Sequence, residues 1–171
     1  MHSPNVTTRR AATFAVSRTD PRDHRELFDA FCRIVAANEG YPQDPQTPLS
    51  QPEFDAYWLK PATVGMVARA VPGGAFAGAY TIKPNGVGRA AHVGNAGYFV
   101  DRSARGQGLG EALVLHSFDV ARAHGFDALQ FNFVFEENPA RALYERLGFE
   151  VVGRVPEVIG NQAVYIYWRR L

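Results

Sequence analysis

The stretch from Tyr98 to Leu113 carries the densest chemistry in the chain. The β formers Tyr98, Phe99 and Val100 run into Arg105-Gly106-Gln107-Gly108-Leu109-Gly110, and an apolar segment without a breaker follows as far as Gly125. Read as strand, loop and helix, this order leaves the glycine N–H groups unshielded. The free donors of the helix's first turn, with its dipole, point at whatever the loop holds. Such a loop suits phosphate, although glycine-rich turns before helices also occur as plain turns. Two nucleotide loops are excluded: a dinucleotide fingerprint needs a small residue where Glu111 stands, and the Gly-Lys-Ser/Thr of a Walker loop occurs nowhere.

A second set of polar residues lies in stretches that otherwise read as strand. Ala91 to Asp101 holds His92, Gly94, Asn95 and Gly97, and glycines inside a strand mark a bulge or a close approach to its backbone. From Ala128 to Phe135 the alternation puts Leu129, Phe131, Phe133 and Phe135 on one face and Gln130, Asn132 and Val134 on the other. Asn132 then stands in mid-sheet, where a polar side chain either satisfies neighbouring backbone or waits for a ligand. His116 and His124 lack the partner spacing of a metal site, so no metal is assigned.

These residues need elements to hold them. Thr13 to Arg18 alternates as a first strand. Asp20-Pro21 opens a helix, aspartate as cap and proline in the first position, and Leu27, Phe28, Phe31, Ile34 and Val35 form its apolar stripe until Asn38-Glu39-Gly40. The segment from Tyr41 to Pro52 carries Pro42, Pro45, Pro48 and Pro52 and reads as a stiff loop. Ser50 and Glu53 are spaced as the capping box of a short helix through Phe54, Tyr57 and Trp58. Strands on either side of Pro72-Gly73-Gly74 and the one from Ala91 form a meander that ends in the glycine loop. Strand, loop helix and strand make a right-handed parallel crossover, which places 128–135 beside 91–100. Asn138-Pro139 opens the last helix, Gly148 closes it, and Gly160-Asn161 turns a final hairpin. The expected fold is α/β: a flexible 1–10, then one domain over 11–171 whose mixed sheet has about seven strands with four helices.

Two runs tie this pattern to a family. Arg105, Gly108 and Gly110 match Arg/Gln-x-x-Gly-x-Gly/Ala, and the run from Asn138 through Ala140, Tyr144 and Gly148-Phe149 follows at the family's separation. The sequence resembles the GCN5-related N-acetyltransferases, well over residues 60–160 and in the order of elements before that. The resemblance implies a sheet splayed at its centre to admit acetyl-CoA. Arg105, Gly106, Gln107, Gly108, Leu109 and Gly110 would bind its pyrophosphate, Tyr98, Phe99 and Val100 would offer backbone to its pantetheine arm, and Asn138 would make a polar contact. Tyr144 matches the tyrosine that protonates the departing thiolate in many members, and also reads as a tyrosine packed at helical spacing between Ala140 and Leu147. Tyr41, Tyr57 and Trp58 would shape the acceptor pocket or serve as ordinary aromatics.

His92 to Gly97, Phe131 to Glu136 and Gly153-Arg154-Val155-Pro156 also resemble a narrower branch, which acetylates the imino nitrogen of azetidine-2-carboxylate and proline analogues. Asparagines matching Asn95 and Asn132 lie at the reaction centre there, whereas Tyr144 is not uniformly kept. An asparagine amide can donate to an oxyanion or hold a carboxylate but cannot act as a base near neutrality. The base stays open among His92, Glu136 and a water chain.

Composition bounds the rest. Lys+Arg 18 against Asp+Glu 17 gives a formal charge of +1, which argues against nucleic acid as a partner. No apolar stretch is long enough to span a membrane, and a single cysteine, Cys32, fits a cytoplasmic protein. The expected partner is a small-molecule amine or imino acid, and dimers are common in the resembled family. Acetylation of a protein or peptide amine, and a non-catalytic CoA-binding module, are the alternatives.

Overall fold

The computed structural model describes residues 5–171, so the first four residues of the N-terminal stretch lie outside it. Residues rich in Val, Ala, Phe and Tyr with a period of two build one sheet from β1 (Asn5–Thr7), β2 (Thr13–Arg18), β3 (Val64–Val71), β4 (Phe76–Pro84), β5 (Val93–Val100), β6 (Ala128–Phe135), β7 (Glu150–Ile159) and β8 (Gln162–Arg170). Their order is β1-β2-β3-β4-β5-β6-β8-β7, and every neighbouring pair is antiparallel except β5 and β6. The sheet therefore has eight strands where about seven were expected. The additional one, β1, pairs through Asn5↔Ala15, Val6↔Phe14 and Thr7↔Thr13, in a stretch too short for a period of two to register in sequence.

Four helices cover the two faces. On one, α1 (His24–Ala36) follows a single 3₁₀ turn that Asp20 and Asp23 close as a capping box, and α2 (Gln51–Phe54) carries the Ser50–Glu53 box. A π turn continues α2 through Asp55–Leu59. Leu27, Phe31, Ile34, Val35, Phe54 and Trp58 bury this layer against Val67, Phe76, Ala79 and Phe99 of the sheet. On the other face, α3 (Leu109–Ala123) packs Leu109, Leu113, Val114 and Phe118 against Tyr80, Ile82, Leu129, Phe131, Phe149 and Tyr167, and α4 (Arg141–Arg146) adds the partly buried Leu143 and Tyr144. Among the described residues no helix is long and apolar enough to cross a membrane.

Two local expectations change. In β6, Phe131 pairs with Tyr167 but Val134 with Tyr165, so one extra residue bulges from the strand. The alternation shifts there: Val134 turns into the core and Phe133, expected inside, is 37% exposed. The last helix also starts later than Asn138-Pro139 implied. The Asn138 Oδ1 accepts from the Ala140 N–H at 2.9 Å, which shapes the turn before α4 and leaves the cap to Ala140.

Candidate active site

The glycine loop begins where β5 ends. Asp101 caps a 3₁₀ turn over Arg102–Ala104 by accepting from the Ser103 N–H at 3.0 Å, and Arg33 of α1 anchors its carboxylate at 2.9 Å. Gly106 at φ 74° and Gly108 at φ 82° then lie in the left-handed region, which lets the chain turn sharply into α3. A Cβ on Gly106 would meet nothing within 4 Å, so the bend faces open space. Among the described residues, the amides from Gly106 to Glu111 find no acceptor, and the first bond of α3 comes from the Ala112 N–H to the Gly108 carbonyl. Gln107 reaches back to the Ser103 carbonyl at 3.2 Å, Arg10 donates to the Gly106 carbonyl, and the Leu109 side chain is buried in the core. A Cβ on Gly110 would stand 3.9 Å from Val100, at ordinary contact distance. A run of free amides at a helix N-terminus, with Arg10 and Arg105 beside it, matches the charge and donor set that a diphosphate requires.

Arg105 is engaged from across the opening. Its guanidinium forms a two-pronged pair with Glu39, just beyond α1, and Arg102 lies 3.6 Å from the same carboxylate. The hydrogen bonds from Arg105 hold the Glu39 carboxyl below its usual range. Gly40, next in the chain, brings the connection between the first two helices against Asn138, whose Nδ2 would stand 3.1 Å from an added Cβ.

Beyond the loop the sheet parts. Strands β5 and β6 pair only at Val93↔Ala128 and Gly94↔Leu129 and then diverge. Gly94 lets them meet at all: a Cβ there would stand 3.0 Å from Leu129 and 3.2 Å from both Ile82 and Phe126. The Val93 carbonyl and the Asp101 N–H bond toward β4, so the same holds for the odd-numbered backbone groups between them. The backbone groups of Ala96, Tyr98 and Val100 therefore face the gap, whereas those of Phe99 face β4 and its ring joins the core under α1. Two of the exposed groups are taken: the Tyr41 hydroxyl donates to the Tyr98 carbonyl at 2.9 Å, and Arg105 Nε donates to the Val100 carbonyl at 3.5 Å. The Tyr98 hydroxyl bonds Ser117 Oγ at 2.7 Å, which fixes the ring on the other face.

The divergence opens a cleft of about 710 Å³, lined among others by Asn95, Tyr98, Phe99, Val100, Arg105, Asn132, Asn138 and Tyr144. The structure thus gathers in one cavity the polar residues that the sequence placed on separate elements. Tyr41 and Tyr57 line it too, but Trp58 is buried beneath Gly97, 3.1 Å from where a Cβ would be. His92 binds the Arg89 carbonyl and Glu136 binds Tyr165 and Arg154, so neither lines the cleft, whereas the neighbouring Glu137 does.

Asn95 and Asn132 of the lining belong to an asparagine cluster. Asn85, in the turn after β4, accepts from Asn95 Nδ2 at 3.1 Å and from Asn132 Nδ2 at 2.5 Å, while Asn132 Oδ1 accepts from Gln130 Nε2 at 2.7 Å. These bonds fix the orientation of both amides and leave Asn95 Oδ1 and the second Asn132 N–H for a ligand. Asn85 was hidden in the sequence, where Pro84-Asn85-Gly86 reads as a plain turn. Tyr144 lines the same cleft, its ring 4.8 Å from Phe131 and 5.8 Å from both Phe149 and Tyr167. Burial, with Tyr167 adding to it, pushes its phenol up to about 12. The group thus stays protonated at any ordinary pH and remains a donor.

Comparison with known proteins accords with this geometry. Residues 25–149 match the model of the acetyltransferase (GNAT) family. The chain belongs to this family. A solved GCN5-related N-acetyltransferase from Kribbella flavida superposes on this GNAT chain with a TM-score of 0.83 at 34% identity, over 92% of this chain and 98% of the other. A phosphinothricin acetyltransferase from Sinorhizobium meliloti, solved in complex with acetyl-CoA, shares the fold at 21% identity with a TM-score of 0.78, over 92% and 88% of the two chains. An N-acetyltransferase of Schizosaccharomyces pombe is 38% identical over 81 residues, 47% of the GNAT chain and 39% of the relative, so the chain spans less than half the length of that relative.

Proposed function

We propose that the protein transfers an acetyl group from acetyl-CoA to the amine of a small molecule, with a cyclic imino acid such as azetidine-2-carboxylate or a proline analogue as acceptor. The observation that carries this reading is the continuity of the site: Arg105 at the head of the loop of free amides, the unpaired edge of β5, and Asn95 and Asn132 line a single cleft. The loop from Arg105 to Gly110 takes the pyrophosphate. Ala96 pairs with the pantetheine arm as a borrowed strand would, and so do Tyr98 and Val100 once their carbonyls are freed from Tyr41 and Arg105. Phe99 contributes by packing, and Asn138 by its place beside the arm.

The acceptor nitrogen, once neutral, attacks the thioester carbonyl carbon. The carbonyl π electrons move to oxygen, where the Asn132 amide N–H is placed to donate, and Asn95 Oδ1 orients the amine. As the C–S bond breaks, Tyr144 gives its proton to the sulfur. The burial that raises its pKa also raises that of the thiolate, so the transfer stays balanced. The nitrogen's proton leaves through the cleft mouth. Of its two carboxylates, Glu39 is held by Arg105 and Arg102, which leaves Glu137 to receive it through water.

The pocket walls support a small acceptor over a peptide: the proline-stiffened loop puts Tyr41 over β5, and Tyr57 stands beside it. Release of CoA thiol measured over a panel of amino acids, cyclic imino acids, peptides and simple amines tests the reading. Thiol release greatest with cyclic imino acids supports it, preference for peptides moves the protein to the peptide-modifying members, and no release with any amine ends it.

A further inference from the structure

Four charged residues line the cleft: Glu39, Lys83, Arg105 and Glu137. Arg105 is neutralised by Glu39, but among the described residues no carboxylate lies within ion-pair distance of Lys83. Lys83 is also not a loosely placed surface lysine. It pairs directly across β4–β5 with Asn95, so the two side chains leave the sheet on the same face with Cβ atoms about 5 Å apart. Its ammonium lies 5.4 Å from the centroid of the Tyr57 ring, within the range of a cation–π contact, which keeps it over the pocket.

We propose that Lys83 recognises the acceptor's carboxylate and so restricts the enzyme to amines that carry an anionic group next to the nitrogen. The inference rests on the acetyl-transfer reading above. The nitrogen must reach the thioester in the gap beside Asn95 and Ala96, and Lys83 stands one strand away, a spacing of about 4.8 Å that its flexible stem bridges. An α-amino or α-imino carboxylate spans that interval, while a neutral amine leaves the ammonium without a partner. Asn95 then divides its neighbours' work: the lysine holds the anion, and the amide cluster aims the nitrogen. A charge-assisted hydrogen bond of this kind in a partly dry cleft amounts to about ten- to a hundred-fold in affinity.

The test compares azetidine-2-carboxylate with azetidine, by turnover and by calorimetric titration in the presence of CoA, using the wild type, Lys83→Met and Lys83→Arg. The wild type is expected to favour the acid at least about tenfold in kcat/KM and in binding, Lys83→Met to lose most of that preference, and Lys83→Arg to keep most of it. Thermal melting at the wild-type temperature separates a folding defect from a recognition defect. Equal treatment of the two compounds by the wild type, or a Lys83→Met enzyme that retains the preference or loses both compounds alike, overturns the proposal. If no thiol is released with either compound, the cyclic imino acid fails as the acceptor, and the titrations still decide whether Lys83 selects the carboxylate.

Discussion

At the scale of single residues, the proposed mechanism works by orientation. Asparagine neither gains nor loses a proton near neutrality, so Asn95 and Asn132 act only through where their amides point, and Asn85 sets that for both. Asn95→Ala and Asn132→Ala should each lower kcat by about a hundredfold, the usual cost of a lost oriented donor or positioning group, with the KM for acetyl-CoA little changed in steady-state kinetics. Asn85→Ala touches no ligand and should cost kcat about tenfold through the loss of positioning. A collapse of acetyl-CoA binding in any of the three would make the cluster structural instead. For Tyr144, the acid of the proposed mechanism, the protonated phenol is the form that donates, and burial pushes its pKa up to about 12. Activity governed by this acid should therefore persist without a fall up to about pH 10, and Tyr144→Phe should lower kcat about ten- to a hundredfold at every pH in a rate profile.

Among the elements, the loop between β5 and α3 depends on backbone shape, and the latch opposite it on charge. Gly108→Val forces a branched side chain to φ 82° and brings its Cβ to 3.2 Å from Thr8, so the amides should lose their alignment and the affinity for CoA should fall at least about tenfold. Glu39→Gln frees Arg105 from a half-exposed pair worth about 0–1 kcal/mol, so CoA should bind up to about fivefold more tightly at low salt in calorimetry. The glycine loop, the meander and the crossover were legible in the sequence, because backbone-permissive glycines and a period of two write themselves locally. The bulge in β6 was not, since it depends on how Phe131 and Val134 register against β8. The closeness of Lys83 to Asn95 depends likewise on β4–β5 register, and Asn85 joins the site only because the turn after β4 folds back over β6. Strand β1 escaped notice because three residues carry no period.

Across the whole molecule, two cores on opposite faces of one sheet hold the cleft open. The core under α1 centres on Phe31, which is fully buried with rings of Tyr41, Phe54, Trp58 and Phe99 within 5.9 Å. It sets where Tyr41 stands over β5. Phe31→Ala should cost about 3–5 kcal/mol in denaturant unfolding and loosen the acceptor wall as well. The core under α3 and α4 fixes the other lip, from the loop glycines to Tyr144. Because β5 and β6 share only two paired positions, the gap between them is a property of the sheet itself and does not wait for a ligand to form.

That gap and its loop are the receptacle for the acyl carrier. Calorimetric titration of acetyl-CoA into the purified protein measures this most directly. One molecule should bind per chain, and Gly108→Val should weaken binding at least about tenfold while leaving the protein folded. Absence of binding heat in the wild type, or equal affinity in the Gly108→Val protein, would contradict it.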